Sequence, residues 1–529
     1  MSKLSVHTDT IYTIGFWTLC ALYIILYGPY GFEDTDTGYI FGTSWNVYNG
    51  QFPHRDFIYT RPAVPAYFHA VFLYISETYA YLLDRAFFYV QVFIYTLFGA
   101  KLLTQYFGIS SKKIVYSIAI LGALVSIHNY PPMAWNTIDG VFFCMLGMYF
   151  ILRLKGKVWS IIIGSCLLVL GIFSKQSFYF MPIFIFLFLL LRKDWYRLKY
   201  YSIFGVLAGL AFLLFKYANN TFYQFFEQTI ERAPSSALLD IGFLKYAVAI
   251  KISFWFLLGI AALLLILHKF VSKSISYLVL NICVMGFMAH TFYRSQTQGW
   301  EMIEWVFQII FILSVWYALL KLRKDKRFLL VLLLLALSWS AGVSFGYQTP
   351  IHFSLPFVFV LYHYCFNTEE KNFRPVITNT VILLFLGTFF YGYQTLYRDS
   401  NRNELTYNMG EIFPQLTFLK SDEATYNKYS ELKQLSQRYK NIAVVPASPL
   451  ANYLTNTVNP IGTDWILNEE VNQEIPLLVK QLSIKNSTVF VEKRTYTQEQ
   501  KKSYTIVPLI ENTWKKLEET QYFIVYKAN

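Results

Sequence analysis

Apolar runs of roughly 16 to 24 residues, separated by short polar breaks, recur along the first three quarters of the chain. At the length a helix needs to cross a bilayer they predict about thirteen spans. These lie near residues 11–28, 83–107, 114–128, 138–153, 158–173, 177–192, 200–216, 246–267, 274–290, 304–320, 328–345, 351–366 and 376–393. From about residue 394 the pattern changes. No span-length run follows, and strand-like segments "NIAVVP" (441–446), "STVFVE" (487–492) and "QYFIVYK" (521–527) alternate with helix-like ones. That alternation reads as a small α/β domain. The expected fold class is therefore mainly α: a polytopic membrane helical bundle over 1–393, then a small α/β domain over 394–529.

Composition agrees with the pattern. Of 529 residues 55% are hydrophobic and only 15% charged, with a mean hydropathy of +0.38. A soluble domain carries nearer a quarter charged residues. The five cysteines all fall in apolar runs without metal spacing, which argues against disulfides and thiolate sites. One lysine, Lys3, precedes the first apolar run and no small-residue cleavage site follows Gly28, so this run reads as a retained span. The net charge of +13 is an orientation signal. With the N-terminus in the cytoplasm, the inner segments hold nineteen Lys and Arg, against six in the outer loops up to residue 350. The positive-inside rule favours that orientation, and nucleic acid drops out as a partner.

This topology places three segments outside the cytoplasm: a loop from about 29 to 82, a second from 217 to 245, and the whole C-terminal region. In "DTGYIFGTSWNVYNG" the residues Ile40, Phe41, Ser44, Trp45 and Tyr48 share one helical face and Gly50 is placed to stop the helix. The pattern predicts an amphipathic helix at the membrane surface. After "QFPHRDFIYTR", Pro62 suits the first turn of a second surface helix. The loop thus reads as two surface helices joined by a charged hairpin, with Glu33, Asp34 and Asp36 just upstream. Glu33 reads as a solvated charge.

The stretch "DTDTGYIFGTSWNVYNGQFPHRDFIYTRPAVPAY" resembles the first loop of the GT-C membrane glycosyltransferases, among them protein O-mannosyltransferases and the lipid A aminoarabinose transferase. The matching positions are Asp34, Asp36, Tyr39, Gly50, Pro53, Arg55, Asp56, Arg61 and Pro62. The family's usual Asp-Glu is Asp36-Thr37 here. The resemblance implies an enzyme that takes a sugar from a polyprenyl-phosphate donor and passes it, with inversion, to a glycan, lipid or protein acceptor of the cell envelope. It also implies a plasma-membrane location, and often a second acid from the next outer loop at the active site.

That chemistry asks for particular groups. A hydroxyl acceptor needs a carboxylate to take its proton, for which Asp36 comes first and Asp34 second. The alternative for Asp36 is a helix cap before Thr37. Asp139, at the end of "HNYPPMAWNTID", is either the second catalytic acid or another cap. Asp36 and Asp139 are also the candidate ligands of a divalent cation such as Mg²⁺ or Mn²⁺. The leaving phosphate needs cations. Lys175, beside Gln176 in a short outer turn, and Arg61, Arg55 and Arg294 are the candidates; snorkelling and interfacial anchoring are the alternatives. Arg232, in the second outer loop, could clamp phosphate in the same way or anchor the interface; His290, His352, Glu301 and Glu304 lie at outer span ends, without an assigned role. Two other classes fit a multispan chain. A transporter or flippase would show an inverted repeat and mid-span charges, and a glycan polymerase or ligase would carry its large loop between late spans. The acids here cluster at one surface instead.

Overall fold

The structure is a computed structural model. It describes every residue except 1, 128–131, 154–155, 233–234, scattered positions between 273 and 300, 345–348, 368–378, scattered positions between 380 and 398, 447, 472–473, 494–503 and 529. The chain is mainly helical, with small sheets toward the C-terminus. In order come α1 (Ser2–Tyr27), α2 (Asp36–Tyr48), α3 (Val64–Ile75), α4 (Ala80–Phe107), α5 (Lys112–Ile127), α6 (Asn136–Leu152), α7 (Val158–Ile172), α8 (Met181–Leu191) and α9 (Trp195–Ala218). Further helices span Ser235–Phe270, Glu301–Leu322, Phe328–Gly342 and Leu355–Asn367.

Four of the described helices are long and apolar enough to cross a bilayer: Thr10–Tyr27, Ala80–Phe107, Trp195–Ala218 and Glu304–Leu322. The others that coincide with expected spans, such as α6 and α7, are shorter apolar helices. At 1.5 Å per residue they fall below the roughly 20 residues that a full crossing takes. The count of thirteen is therefore not reproduced, and the expected spans 274–290 and 376–393 lie largely outside the described residues. α1 and α9 turn large apolar side chains outward, among them Ile11, Ile14 and Ile25, and Val206, Leu210 and Leu214. Apolar surface on that scale suits lipid rather than water.

The C-terminal region contains all three expected strands and others that the pattern did not predict. β1 (Tyr407–Asn408) and β2 (Lys420–Ser421) form a small antiparallel pair. β3 (Ile442–Val445), β4 (Thr488–Glu492), β5 (Lys515–Glu519) and β6 (Phe523–Lys527) make a sheet of order β3-β4-β6-β5. β3 and β4 run parallel and the remaining pairs antiparallel. The central β4 is buried along its whole length, whereas β5, "KKLEE", is an exposed edge. Its charges suit a strand that must not pair with a neighbour, and they also hide it from a hydrophobic search.

Two expectations for the first loop are corrected. α2 keeps the predicted bounds and stops before Gly50, whose φ is +84°, but it does not lie on a membrane surface. Every residue from Asp36 to Asn46 is buried. One side packs on α3 and the other on the C-terminal region, so that Phe41 and Trp45 share a core with Leu432, Leu450 and Val525. Trp45 Nε1 donates to the Thr457 carbonyl at 2.8 Å. The second helix starts at Val64, with Pro65 rather than Pro62 in its first turn. Upstream, the Arg85 guanidinium donates to the carbonyls of Tyr30 and Gly31 at 2.6 Å each, holding the chain as it leaves α1.

Gly42 is where α2 meets the C-terminal region most closely. A Cβ there would stand 2.8 Å from the Pro449 carbonyl oxygen and 3.1 Å from Asp464 Oδ1. Gly42→Ala should force the two apart, at about 1–3 kcal/mol for an overpacked contact. The check is thermal unfolding and limited proteolysis of the detergent-solubilised protein. A lower midpoint with faster cleavage within 394–529 is expected, and unchanged values of both would contradict the packing.

Candidate active site at the first loop

The acidic turn is built by Glu33. Its two carboxylate oxygens accept the backbone N–H of Thr35 (2.9 Å) and of Thr37 (2.7 Å), and the residue is buried. Glu33 is thus the capping group and not a solvated charge. α2 begins at Asp36 itself; Thr35 stands at the cap position without a side-chain bond to the helix. Asp36 is thereby released from the capping role and is buried in the first turn.

Asp34 points the other way. It accepts from Lys428 Nζ at 2.8 Å and from the Tyr429 hydroxyl at 2.5 Å, and Lys428 also pairs with Glu492 at 2.9 Å. Asp34 therefore fastens the loop to the C-terminal region.

Below Asp36, Tyr39 carries an aromatic wall. Its ring stacks on Tyr59 of the hairpin (5.4 Å between centroids) and on Trp465 of the C-terminal region (4.5 Å). Trp465 in turn meets Trp135 at 6.4 Å, directly before α6. Beside Trp465, the buried Asp464 accepts from Asn46 of α2 at 2.8 Å and from Asn459 at 2.9 Å. Burial pushes its carboxyl up to about 7, against the pull of the Asn459 bond.

The cations lie at the start of α6. Lys175 Nζ donates to Thr137 Oγ1 at 3.0 Å, and the neighbouring Gln176 Nε2 donates to the Thr60 carbonyl at 2.7 Å. The Thr60–Arg61 segment thus runs beside the Lys175 turn. Burial, together with the nearby Arg61 guanidinium, lowers Lys175 to about 7. The N-terminus of α6 has no side-chain cap among the described residues, so its first N–H groups add partial positive charge at the helix end where Thr137 meets Lys175.

A buried imidazole fixes Arg61 from behind. His54, at φ +75°, has Nε2 at 3.1 Å from the Arg61 carbonyl and Nδ1 at 3.3 Å from Lys216 Nζ. A carbonyl only accepts, so Nε2 carries the proton and Nδ1 accepts from Lys216. Burial, then the Lys216 charge, lowers His54 to about 3. It is therefore a neutral, fixed tautomer.

The remaining candidates separate. Asp139 is wholly buried and both its oxygens are engaged, Oδ2 by His69 Nε2 at 2.9 Å and Oδ1 by Gln91 Nε2 at 2.8 Å. It sits in the first turn of α6, whose cap position is Trp135. A carboxylate so enclosed holds helices together rather than meeting a substrate. On its other side His69 Nδ1 bonds to Asp84. Burial opposes charge on His69, but the flanking Asp139 and Asp84 outweigh it and raise the group to about 10. Arg55 is on an exposed edge, paired with Asp56 at 2.7 Å and bonded to the Asn219 carbonyl. Arg232 pairs with Glu227 and Glu474. Arg294 lies outside the described residues. No group of three or more His, Cys, Asp or Glu among the described residues is placed to hold a metal. With Asp139 engaged on both oxygens, the donor set does not fit a resident Mg²⁺ or Mn²⁺.

No family model and no curated protein matches the chain. Among solved structures it is similar to the crystal structure of ArnT from Cupriavidus metallidurans in the apo state, at 11% identity and a TM-score of 0.45, over 99% of this chain and 98% of that one. A likeness of that depth decides neither family nor chemistry, which are read from the residues.

Asp464 has a pH consequence. Its folded value lies above the ordinary carboxylate value, so between about pH 4 and 7 the folded chain holds a proton that the unfolded chain has released. Its contribution to stability is full below about pH 4 and lost as pH rises through 7. Asp464→Asn should flatten that part of the unfolding profile and raise the midpoint at pH 8. The change is tolerable because Asn46 Oδ1 is buried without a hydrogen-bond partner among the described residues, and an amide flip offers it to the new N–H. An unchanged slope would contradict the buried carboxyl.

Proposed function

We propose that this chain is a membrane glycosyltransferase of the GT-C type, which moves a sugar from a polyprenyl-phosphate donor to an acceptor on the outer side of the plasma membrane. The observation that carries the reading is the pairing of Lys175 and Arg61 beside the uncapped N-terminus of α6. Two cations side by side, one hydrogen-bonded to a hydroxyl rather than a carboxylate, suit an anion such as a lipid phosphate. The resemblance of the 34–62 segment to GT-C first loops and the apolar helices support the same reading.

In this mechanism the acceptor hydroxyl attacks the anomeric carbon opposite the phosphate. Asp36 takes the hydroxyl proton as the new C–O bond forms. The old bond breaks toward the phosphate, whose growing charge meets Lys175 and Arg61. One displacement inverts the anomeric centre. Asp34 and Asp139 are positioning residues, the first for the C-terminal region and the second for α6. No step runs through a metal. In this reading the acceptor, a glycan, lipid or protein, meets the C-terminal region that packs on α2.

Transfer from a synthetic undecaprenyl-phosphate sugar tests the reading. Asp36→Asn should lower kcat by about 10²–10⁴, the usual contribution of a general base, with normal folding; full activity would remove Asp36 from the role. No transfer from any lipid-phosphate sugar would remove the class. Lys175 adds a pH signature. It is a cation below about pH 7 and neutral above, so the KM for donor should rise between pH 6 and 8. Lys175→Arg should keep donor binding and lose that rise, and an identical profile in both proteins would contradict the assignment.

A further inference from the structure

The C-terminal region reaches the candidate site through one side chain that the proposed chemistry has not used. Trp465 is half-buried, stacked on Tyr39 one helical turn after Asp36, and 6.4 Å from Trp135. It therefore stands between the two elements that carry Asp36 and the Lys175–Thr137 contact. Its indole Nε1–H is buried with no hydrogen-bond partner among the described residues, and so is Oδ1 of Asn136, the residue after Trp135. Asn136 is itself almost wholly buried. A buried donor or acceptor left without a partner is costly, and this donor on Trp465 and this acceptor on the residue after Trp135 point to a ligand that supplies the complement. The ligand class that offers both, together with an apolar ring face for an indole, is a sugar ring: its hydroxyls donate and accept, and its C–H face packs on aromatic side chains.

We propose that Trp465 and Asn136 form the subsite for the sugar of the lipid-linked donor, with the indole N–H donating to one hydroxyl and the Asn136 carbonyl oxygen accepting from another. The inference rests on the donor reading above and adds to it that the C-terminal region helps to hold the donor sugar. Three features place the indole. Asp464 is clamped between Asn46 and Asn459, the Gly462 carbonyl accepts from Ile58 N–H at 2.8 Å, and Thr463 Oγ1 donates to the Trp465 carbonyl at 3.1 Å.

The test measures binding of bare undecaprenyl phosphate and of a panel of synthetic undecaprenyl-phosphate hexosides and pentosides to the full-length protein in nanodiscs. Wild type should prefer at least one glycoside over the bare lipid by tenfold or more. Trp465→Phe keeps a ring and loses the N–H, and Asn136→Ala loses the acceptor. Each should reduce that preference about five- to tenfold while binding bare undecaprenyl phosphate within twofold of wild type. Lys175→Gln is the separate control for the phosphate: it should weaken bare lipid and glycosides alike and leave their ratio unchanged. Variants that keep the full sugar preference would overturn the subsite and leave the donor reading standing. A wild type that binds bare lipid phosphate and every glycoside equally well would overturn the subsite too, whereas one that binds neither would overturn the donor reading with it.

Discussion

Three ionisable side chains from three helices meet out of water: Asp84 of α4, His69 of α3 and Asp139 of α6. An imidazolium between two carboxyl groups is held only while all three stay in register, and removing one partner of such a buried pair costs about 3–5 kcal/mol. The chain of contacts thus fixes α3 against α6. α3 follows the hairpin that carries His54 and Arg61, and α6 begins at Asn136, so this one contact sets the hairpin against the Thr137 hydroxyl that Lys175 bonds.

A second dependence runs through α2. Glu33 caps it, Asp34 ties its lead-in to Lys428 and Tyr429, and Asp464 with Trp465 covers its far side. The three acids of this short turn have different roles. Glu33 builds the helix start and Asp34 docks the C-terminal region, while Asp36 is buried in the first turn of α2. The engagement of Glu33 and Asp34 is the reason for proposing Asp36 as the base ahead of its neighbours. It also packs the first loop and the C-terminal region together.

Much of this was legible in the sequence and some was not. The extent of α2, the three apolar strands and the hairpin follow from periodicity and turn chemistry, which are local. The environment of α2 is not legible locally because a face bearing Gly38 and Gly42 looks merely weakly apolar, whereas those glycines admit Pro449 and Asp464. β5 escaped because its side chains are charged and exposed. His69 and Asp84 passed unnoticed in "YFHAVF" and "LLDRAFF", although an ionisable residue in an apolar helix is a signal in itself. Their meaning came from Asp139, 70 residues beyond His69, and long-range pairing is what a single sequence does not display. Asp139 and Lys175 stood out from charge at span edges; that one is enclosed and the other faces Thr137 is a property of packing.

The central claim is that a lipid phosphate binds where Arg61, Lys175 and the start of α6 converge. An electron cryo-microscopy structure of the protein in nanodiscs with undecaprenyl phosphate tests it most directly. The phosphate is predicted within hydrogen-bond distance of Lys175 Nζ and the Arg61 guanidinium, on the side of Thr137 facing the Tyr39–Trp465 wall. A phosphate bound elsewhere, with Lys175 still on Thr137 and no density between it and Arg61, would contradict the account.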